Sequence, residues 1–225
     1  MVKIIFMDFY GTAAQEIGPI AISVIQDICK NSQAKSMEEV TVYWWKTFRE
    51  RLFEANGEHF KTQHEVALEN FRELVRHFEC TLDPLSLLER MEEHWCTTSV
   101  YEDAKEFLRV CPVPVYFVTN SDDKYIFEEL KRYSLNPQGI VTSEEAKYSK
   151  PHKEIFLYAL QKAGVQPEEV LHIGDSLESD VKCPASVGIR SIWLNREGKT
   201  VPEGVESVES LMDVMQYLGS NAYNE

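Results

Sequence analysis

Four short segments, in a fixed order along the chain, carry residues that could do chemistry together. An apolar run ends in Asp8, a second ends in Thr119, Lys150 stands before a proline, and a third run ends in Asp175 with Asp180 close behind. Residues just past the carboxyl ends of parallel strands converge on one crevice. A carboxylate, a hydroxyl, an ammonium and a carboxylate pair would then meet in one place. This mixture suits metal-assisted chemistry on an anion.

The elements that must position these residues alternate between strand and helix. Strands are predicted at residues 1–7, 113–118, 139–142, 170–174 and 188–194. Helices are predicted at residues 101–110, 123–133, 152–163, 177–186 and 207–218, with a frayed tail from Ser220. Strands that alternate with helices indicate βαβ units, and crossovers between parallel strands are right-handed. The sequence therefore predicts an α/β fold built on a parallel sheet.

A stretch of about eighty residues near the amino terminus interrupts this alternation and is helical throughout. Val40, Trp44, Phe48 and Leu52 recur at four-residue spacing, which gives a helix one apolar face. Two capping boxes, Ser36 to Glu39 and Thr62 to Glu65, and an Asp83-Pro84 start mark helix beginnings. We expect a core of residues 1–13 and 96–225, interrupted by a helical cap of residues 14–95.

Composition and charge exclude several classes of function. The chain has 225 residues, of which 44% are hydrophobic and 27% are charged. These values are ordinary for a globular protein, and no stretch approaches the roughly 20 apolar residues that a membrane span needs. The net charge of −14 argues against a nucleic-acid partner. The five cysteines are scattered and unpaired in sequence, which favours reduced thiols and a cytoplasmic location.

The four segments together resemble the haloacid dehalogenase superfamily of hydrolases, whose motifs occur in this order and at similar spacing. The resemblance covers most of the chain and implies a Rossmann-like, doubly wound core with an inserted helical cap. It implies that Asp8 is a nucleophile that forms a covalent intermediate. Thr119 and the backbone N–H groups of Asn120 and Ser121 would bind phosphate, and Lys150 would neutralise charge in the transition state.

The resemblance also implies a metal site for Mg²⁺. Asp8 and Asp175 would supply carboxylate ligands, and the backbone carbonyl of Tyr10 would supply another. Asp180 would either bind the ion or orient Lys150 or a water beside it. The implied substrate is a small phosphorylated metabolite.

Position 10 departs from the phosphatases of the superfamily. They usually carry an aspartate there, as general acid and base, whereas this chain has Tyr10. A phenol with an ordinary pKa of about 10 is a poor base at neutral pH. The segment Asp8 to Thr12 is similar instead to the 2-haloacid dehalogenase branch, in which halide leaves without needing an acid.

Three other positions argue against the dehalogenase branch. It usually replaces the Gly-Asp of the last motif with neutral residues, whereas Gly174-Asp175 is intact here. It usually has a tyrosine six residues after the lysine, where this chain has Phe156. It also has an arginine early in the cap that receives halide, whereas the first arginine here is Arg49.

The sequence therefore predicts a hydrolase, with a magnesium-dependent phosphatase as the leading interpretation. A metal-independent 2-haloacid dehalogenase is the first alternative. The second is a weakly catalytic phosphate-binding or interaction protein that has lost its acid–base residue.

Overall fold

A single parallel sheet forms the centre of the molecule. The computed structural model describes residues 1–218. Its strands are β1 (Ile4–Met7), β2 (Val115–Thr119), β3 (Gly139–Thr142), β4 (Val170–Gly174), β5 (Arg190–Leu194) and β6 (Ser207–Val208). All five pairings are parallel, and the strand order is β3-β2-β1-β4-β5-β6. The order reverses at β1, which is where ligands bind in open α/β sheets.

The helices cover the sheet and form a second layer beyond its carboxyl edge. They are α1 (Pro19–Lys30), α2 (Met37–Glu54), α3 (Gln63–His77), α4 (Pro84–Thr97), α5 (Glu102–Val110), α6 (Asp123–Tyr133), α7 (Ser143–Ala146), α8 (Glu154–Ala163) and α9 (Cys183–Ala185). The α/β class, the parallel sheet and the helical cap region that the sequence predicts are confirmed.

Successive residues of β1 bury opposite faces of the sheet. Ile5 and Met7 enter one apolar cluster, whereas Ile4 and Phe6 enter another. Side chains alternate across a strand in this way, and a central parallel strand is covered on both faces. All four residues of β1 are therefore buried, which explains why the run is apolar throughout and does not alternate with polar residues.

Helices α1 to α4 pack around an apolar cluster of their own, which includes the predicted residues Val40, Trp44 and Phe48. The Thr62–Glu65 capping box and the Asp83 N-cap are confirmed. The predicted Ser36 capping box is wrong in one of its two hydrogen bonds. Ser36 accepts the Glu39 N–H, but the Glu39 carboxylate accepts the N–H of Lys35 instead. The predicted division at residues 13/14 and 95/96 stays a prediction.

Core and cap are joined by hydrogen bonds that satisfy backbone groups of the cap. Asp122, after β2, accepts the N–H groups of Gln63 and His64 at 2.6 and 2.9 Å. It thus satisfies two donors at the start of α3 that lack helical partners. At a second contact between core and cap, the N–H of Gly57 donates to the backbone carbonyl of Lys147 at 2.9 Å.

The last two predicted helices are wrong in part. Residues 207–218 hold strand β6 and a 3₁₀ helix, Leu211–Tyr217, in place of one α-helix. Residues 177–186 begin as a π-helical turn, Leu177–Lys182, before the short α9. Pro184 lacks the N–H that would bond the Asp180 carbonyl, which breaks the regular ladder there. The tail from Ser220 lies outside the described residues.

Within residues 1–218, none of the helices combines the length and the apolar character that crossing a membrane requires.

Candidate active site

The predicted site residues meet at the carboxyl edge of the sheet. Asp8 follows β1, Thr119 ends β2 and Asp175 follows β4, and these three strands are neighbours. All three residues line a cleft of about 800 Å³ between the sheet and the cap. The short apolar runs thus place a hydroxyl and two carboxylates at one crevice, as their order along the chain predicts.

Lys150 lies buried between two carboxylates. Its Nζ atom donates to Oδ1 of Asp8 at 2.6 Å and to Oδ1 of Asp180 at 2.7 Å. Burial acts to lower the pKa of Lys150, but the two negative charges outweigh it and raise that pKa above its ordinary value. The lysine is therefore held charged.

The backbone of Lys150 is fixed by the side chain of Asn120. The Asn120 amide donates to the Lys150 carbonyl at 2.8 Å and accepts the Lys150 N–H at 2.7 Å. Two hydrogen bonds in opposite senses set the position of a residue thirty places away in sequence. Both polar groups of the Asn120 side chain are thus engaged within the protein. An anion at this position would be bound by the Asn120 backbone N–H.

Asp180 is held by three donors. Besides Lys150, the His172 ring bonds its Oδ1 at 3.0 Å and the Ser176 N–H donates to its Oδ2 at 3.1 Å. Burial acts to raise the pKa of Asp180, but Lys150 and His172 outweigh it and lower that pKa below its usual range. Asp180 therefore remains ionised and orients Lys150.

His172 is a core histidine, as its buried-strand context predicts. It is fully buried on β4 and packs edge-on against Phe156, with ring centroids 4.9 Å apart. Burial lowers the pKa of His172, so its ring is neutral and its Nε2–H donates to Asp180. The sequence does not predict this contact, because His172 lies on β4 and Asp180 lies beyond the turn that follows that strand.

Asp175 is positioned by the loop after β1 and by Trp193 of β5. The Thr12 hydroxyl donates to its Oδ1 at 3.1 Å, and the Trp193 ring N–H donates to its carbonyl at 2.8 Å. Gly11 has φ +90°, and a Cβ atom there would lie 2.6 Å from the Asp175 carboxylate. Only glycine tolerates both that backbone and that approach.

The acidic cluster fits a divalent cation. Carboxylate oxygens of Asp8, Asp175 and Asp180 lie within 4.8 Å of one another. Burial raises the pKa of Asp8 and of Asp175 and the neighbouring carboxylates raise both further, although Lys150 opposes this at Asp8. Three carboxylates face one ammonium, so an additional cation would relieve the repulsion. Mg²⁺ prefers oxygen ligands of this kind.

Tyr10 contacts the cap. Its hydroxyl donates to the backbone carbonyl of Trp95 at 2.7 Å, and its ring lies edge-on to Phe9 at 5.0 Å. Burial, with the charge of Glu129 added, raises the pKa of Tyr10 well above its ordinary value. The phenol lines the cleft, but its proton is engaged in a contact between core and cap.

The remaining predicted phosphate-binding residues differ in their surroundings. Thr119 is buried and lines the cleft. Ser121 is fully buried, and its hydroxyl donates to the carbonyl of Asp122 at 3.0 Å. Any contact of Ser121 with a ligand would therefore come from its backbone.

The cleft has an apolar wall from the cap and several charges, from both cap and core, that the sequence does not reveal. The wall includes Trp44, Phe48 and Met91. Arg49 also lines the cleft and lies over the Trp45 ring, 5.4 Å from its centroid. The other added charges in the lining are those of Glu16, Glu50, Glu178 and Lys199. No motif marks them, because the packing of cap on core decides which residues face the cleft.

Comparison with known proteins assigns the family. A family model described as "haloacid dehalogenase-like hydrolase" matches residues 2–188 of the chain. The chain belongs to this family.

Among curated relatives, the pyrimidine 5′-nucleotidase YjjG of Escherichia coli is 40% identical over 84 residues, which cover 35% of this chain and 37% of that protein. The glyceraldehyde 3-phosphate phosphatase of Methanocaldococcus jannaschii is 29% identical over 101 residues, 41% of this chain and 44% of that one. The chain thus spans less than half the length of these two relatives. The putative hydrolase YfnB of Bacillus subtilis is 27% identical over 174 residues, 73% of each chain.

Solved structures agree on the fold. A dehalogenase superposes with a TM-score of 0.79 at 20% identity, over 98% of both chains. YfnB of Bacillus subtilis bound to magnesium superposes with a TM-score of 0.77 at 21% identity, over 96% of this chain and 98% of that one.

Proposed function

We propose that this hydrolase is a magnesium-dependent phosphatase of a small phosphorylated metabolite. The observation that carries the proposal is the intact acidic cluster. Asp8, Asp175 and Asp180 lie together, and the buried ammonium of Lys150 bonds two of them, Asp8 and Asp180. The dehalogenases that the sequence resembles need no such metal-binding carboxylate at position 175.

Asp8 is the proposed nucleophile. One carboxylate oxygen would attack phosphorus and form an aspartyl-phosphate, which divides a hard hydrolysis into two easier steps. Lys150 is already in contact with Asp8 and would offset charge that develops on the phosphoryl oxygens. Asp180 acts through Lys150 by fixing its position.

The phosphoryl group would be bound by Thr119 and by backbone N–H groups of Asn120 and Ser121, which follow β2. Mg²⁺, held by Asp8, Asp175 and the Tyr10 carbonyl, would neutralise the repulsion between the nucleophile and the phosphate. The Thr12 and Trp193 hydrogen bonds keep Asp175 in place for that role.

The names of the relatives support a phosphate ester as substrate. Besides the nucleotidase and the glyceraldehyde 3-phosphate phosphatase, the N-acylneuraminate-9-phosphatase of Rattus norvegicus is 26% identical over 144 residues. The apolar wall of the cleft and Arg49 would contact the group that carries the phosphate. We also keep a cytoplasmic location as a prediction.

The dehalogenase reaction is the second candidate, and two residues favour it. Tyr10 stands where the phosphatases have aspartate. Arg49 reaches the cleft, although its place in the sequence argues against a halide-binding role. Two of the solved dehalogenases are each 20% identical to this chain, and at that identity their likeness shows the fold alone.

A panel of phosphorylated metabolites tests the proposal. Nucleoside monophosphates, sugar phosphates and triose phosphates would be incubated with the protein, with and without magnesium, and phosphate release would be measured. We expect release that requires magnesium and is lost in Asp8→Asn. An inactive wild type against every ester, or activity that survives Asp8→Asn, would contradict it.

A further inference from the structure

Glu16 lies where the chain passes from the core into the cap. The backbone on either side is held by the returning chain: the Gln15 N–H donates to Ser99 at 2.8 Å, and the Thr98 hydroxyl donates to the Gln15 carbonyl at 2.8 Å. The carbonyl of Glu16 itself bonds the His94 ring at 3.0 Å. This segment is therefore fixed relative to α4.

The Glu16 carboxylate, by contrast, is uncommitted. Within residues 1–218 it makes no hydrogen bond or ion pair, and it lines the same cleft as Asp8. The residue keeps part of its surface exposed to solvent, so its carboxyl can exchange protons with water. Its backbone is thus held while its acid group remains available to a ligand.

Glu16 shares its cleft with Asp8, and its carboxyl responds to the charges there. Desolvation within the cleft raises the pKa of Glu16, the charges of Asp8 and Asp180 raise it further, and Arg49 and Lys199 partly oppose them, which brings it to about 7. A carboxyl that titrates near neutral pH can both donate and accept a proton. Tyr10 cannot take this part readily, because its hydroxyl is bonded to Trp95 and its pKa is raised well above the ordinary value.

We propose that Glu16 is the general acid and base of the reaction, in place of the missing aspartate at position 10. The inference rests on the proposed phosphatase function. It assigns the proton transfer to a carboxylate on the core–cap crossing, eight residues after Asp8.

An ester R–O–PO₃²⁻ would be hydrolysed in two steps, each with one proton transfer at Glu16. An Asp8 oxygen bonds phosphorus while the bond from phosphorus to RO breaks, its electron pair leaves with RO, and the Glu16 carboxyl gives that oxygen its proton. In the second step the Glu16 carboxylate takes a proton from water while the water oxygen bonds phosphorus. The bond from phosphorus to Asp8 breaks, and Asp8 and protonated Glu16 are both regenerated.

The test uses Glu16→Gln and a series of substituted phenyl phosphates, from p-nitrophenyl to phenyl phosphate. Nitrophenolate leaves without protonation, whereas phenolate, with a conjugate-acid pKa of about 10, gains from an acid. We expect Glu16→Gln to lower turnover of phenyl phosphate by up to about 10²–10⁴-fold, the range of general acid–base catalysis, and of p-nitrophenyl phosphate by much less. The alkaline limb of the pH dependence of kcat/KM, which reports the protonated Glu16 carboxyl, should disappear.

Two further variants separate catalysis from structure. Glu16→Asp keeps an acid and should recover part of the turnover that Glu16→Gln loses. Glu93→Gln removes an exposed carboxylate of α4 outside the cleft lining and should leave turnover unchanged.

The outcomes distinguish the two proposals. An active wild type whose turnover, leaving-group dependence and pH profile survive Glu16→Gln would overturn the role of Glu16 alone. An equal loss on all the phenyl phosphates, with an unchanged pH profile, would make Glu16 a binding residue and would also overturn that role. A wild type with no Asp8-dependent phosphate release would overturn the phosphatase proposal and this inference with it.

Discussion

The hydroxyl of Tyr10 donates to the backbone carbonyl of Trp95 at 2.7 Å, across the junction between core and cap. Tyr10 packs against the apolar clusters of both parts. This contact gives the unusual residue at position 10 a structural role. The presence of a tyrosine at position 10 therefore has its own structural reason, independent of the loss of an acid–base aspartate.

Tyr10→Phe tests the structural role. The variant keeps the ring and removes the donor, so the buried Trp95 carbonyl loses its partner. We expect the free energy of unfolding to fall by about 0.5–1.5 kcal/mol, the usual net contribution of one hydrogen bond, with little change in phosphate turnover. Denaturant unfolding and steady-state kinetics measure the two quantities. A large loss of turnover with unchanged stability would assign the phenol a chemical role instead.

Tyr10→Asp should raise turnover on a phosphate monoester. A carboxyl group two residues after the nucleophile can release and recover the proton that a phenol holds too tightly. The same change should rescue Glu16→Gln. Tyr10→Asn is the matched control, since it has nearly the same size and no acid. Equal turnover in the two variants, or no gain in Tyr10→Asp, would contradict the expectation.

The Tyr10→Asp variant should also be less stable than the wild type, because it removes an aromatic ring from a junction of two apolar clusters. Its kinetics are therefore best measured at a temperature well below its unfolding midpoint.

The sequence predicts the carboxyl ends of the strands that carry the site. β3 and β4 match their predicted bounds, and β1 and β2 begin later but place Asp8 and Thr119 at the carboxyl edge. Long apolar runs that end in a polar residue give a strong local signal. β6 has two residues and, within residues 1–218, pairs with β5 alone, so no local pattern marks it.

The partners of the site residues could not be predicted in the same way. The contacts of Asp180 with His172 and of Tyr10 with Trp95 depend on tertiary packing. The same holds for Glu16 and Arg49, which reach the cleft because the cap sits over the sheet. Motifs identify residues that act on the substrate, but they carry no information on what holds those residues.

Glu129 gives a prediction for the pH dependence of stability. Its side chain is fully buried on α6, and within the described chain neither carboxylate oxygen has a hydrogen-bond partner. Burial raises the pKa of Glu129 from 4.5 to about 7, although Arg132 on the same helix and the nearby backbone N–H of Thr98 oppose this. Tyr10 and Cys96 are the other titratable groups that feel its charge.

Because the folded state binds this proton more tightly than the unfolded state, the Glu129 contribution to stability is present at low pH. It is lost as the pH rises from about 4.5 to about 7. Glu129→Gln should match the wild type near pH 4 and exceed it at pH 8 by up to about 3 kcal/mol, at about 1.4 kcal/mol per unit of pKa. Glu128→Gln, at the exposed neighbour, should leave the pH dependence unchanged. Parallel stability curves for the wild type and Glu129→Gln would contradict this account.

Magnesium should stabilise the folded protein through the acidic cluster. A ligand at a hundred times its dissociation constant adds about 2.7 kcal/mol, and thus several degrees of melting temperature for a domain of this size. Asp175→Asn should abolish that shift, because it removes a ligand. The metal-free variant should be at least as stable as the wild type, since one buried charge has gone.

The control for the metal experiment is Glu168→Gln, an exposed carboxylate before β4 and so beyond its opposite end from Asp175. It should keep the full magnesium shift. A wild-type melting temperature that does not respond to millimolar magnesium, or an unchanged shift in Asp175→Asn, would count against the proposed metal site.

The most direct test of the account is a paired assay of phosphate release and halide release. Wild type and Asp8→Asn would be incubated with a phosphate monoester that the panel identifies and with a 2-haloacid, each with magnesium and after removal of metal by a chelator. The account predicts phosphate release by the wild type only, with magnesium only, and no halide release. Halide release that survives metal removal and is lost in Asp8→Asn, without phosphate release, would contradict the central claim.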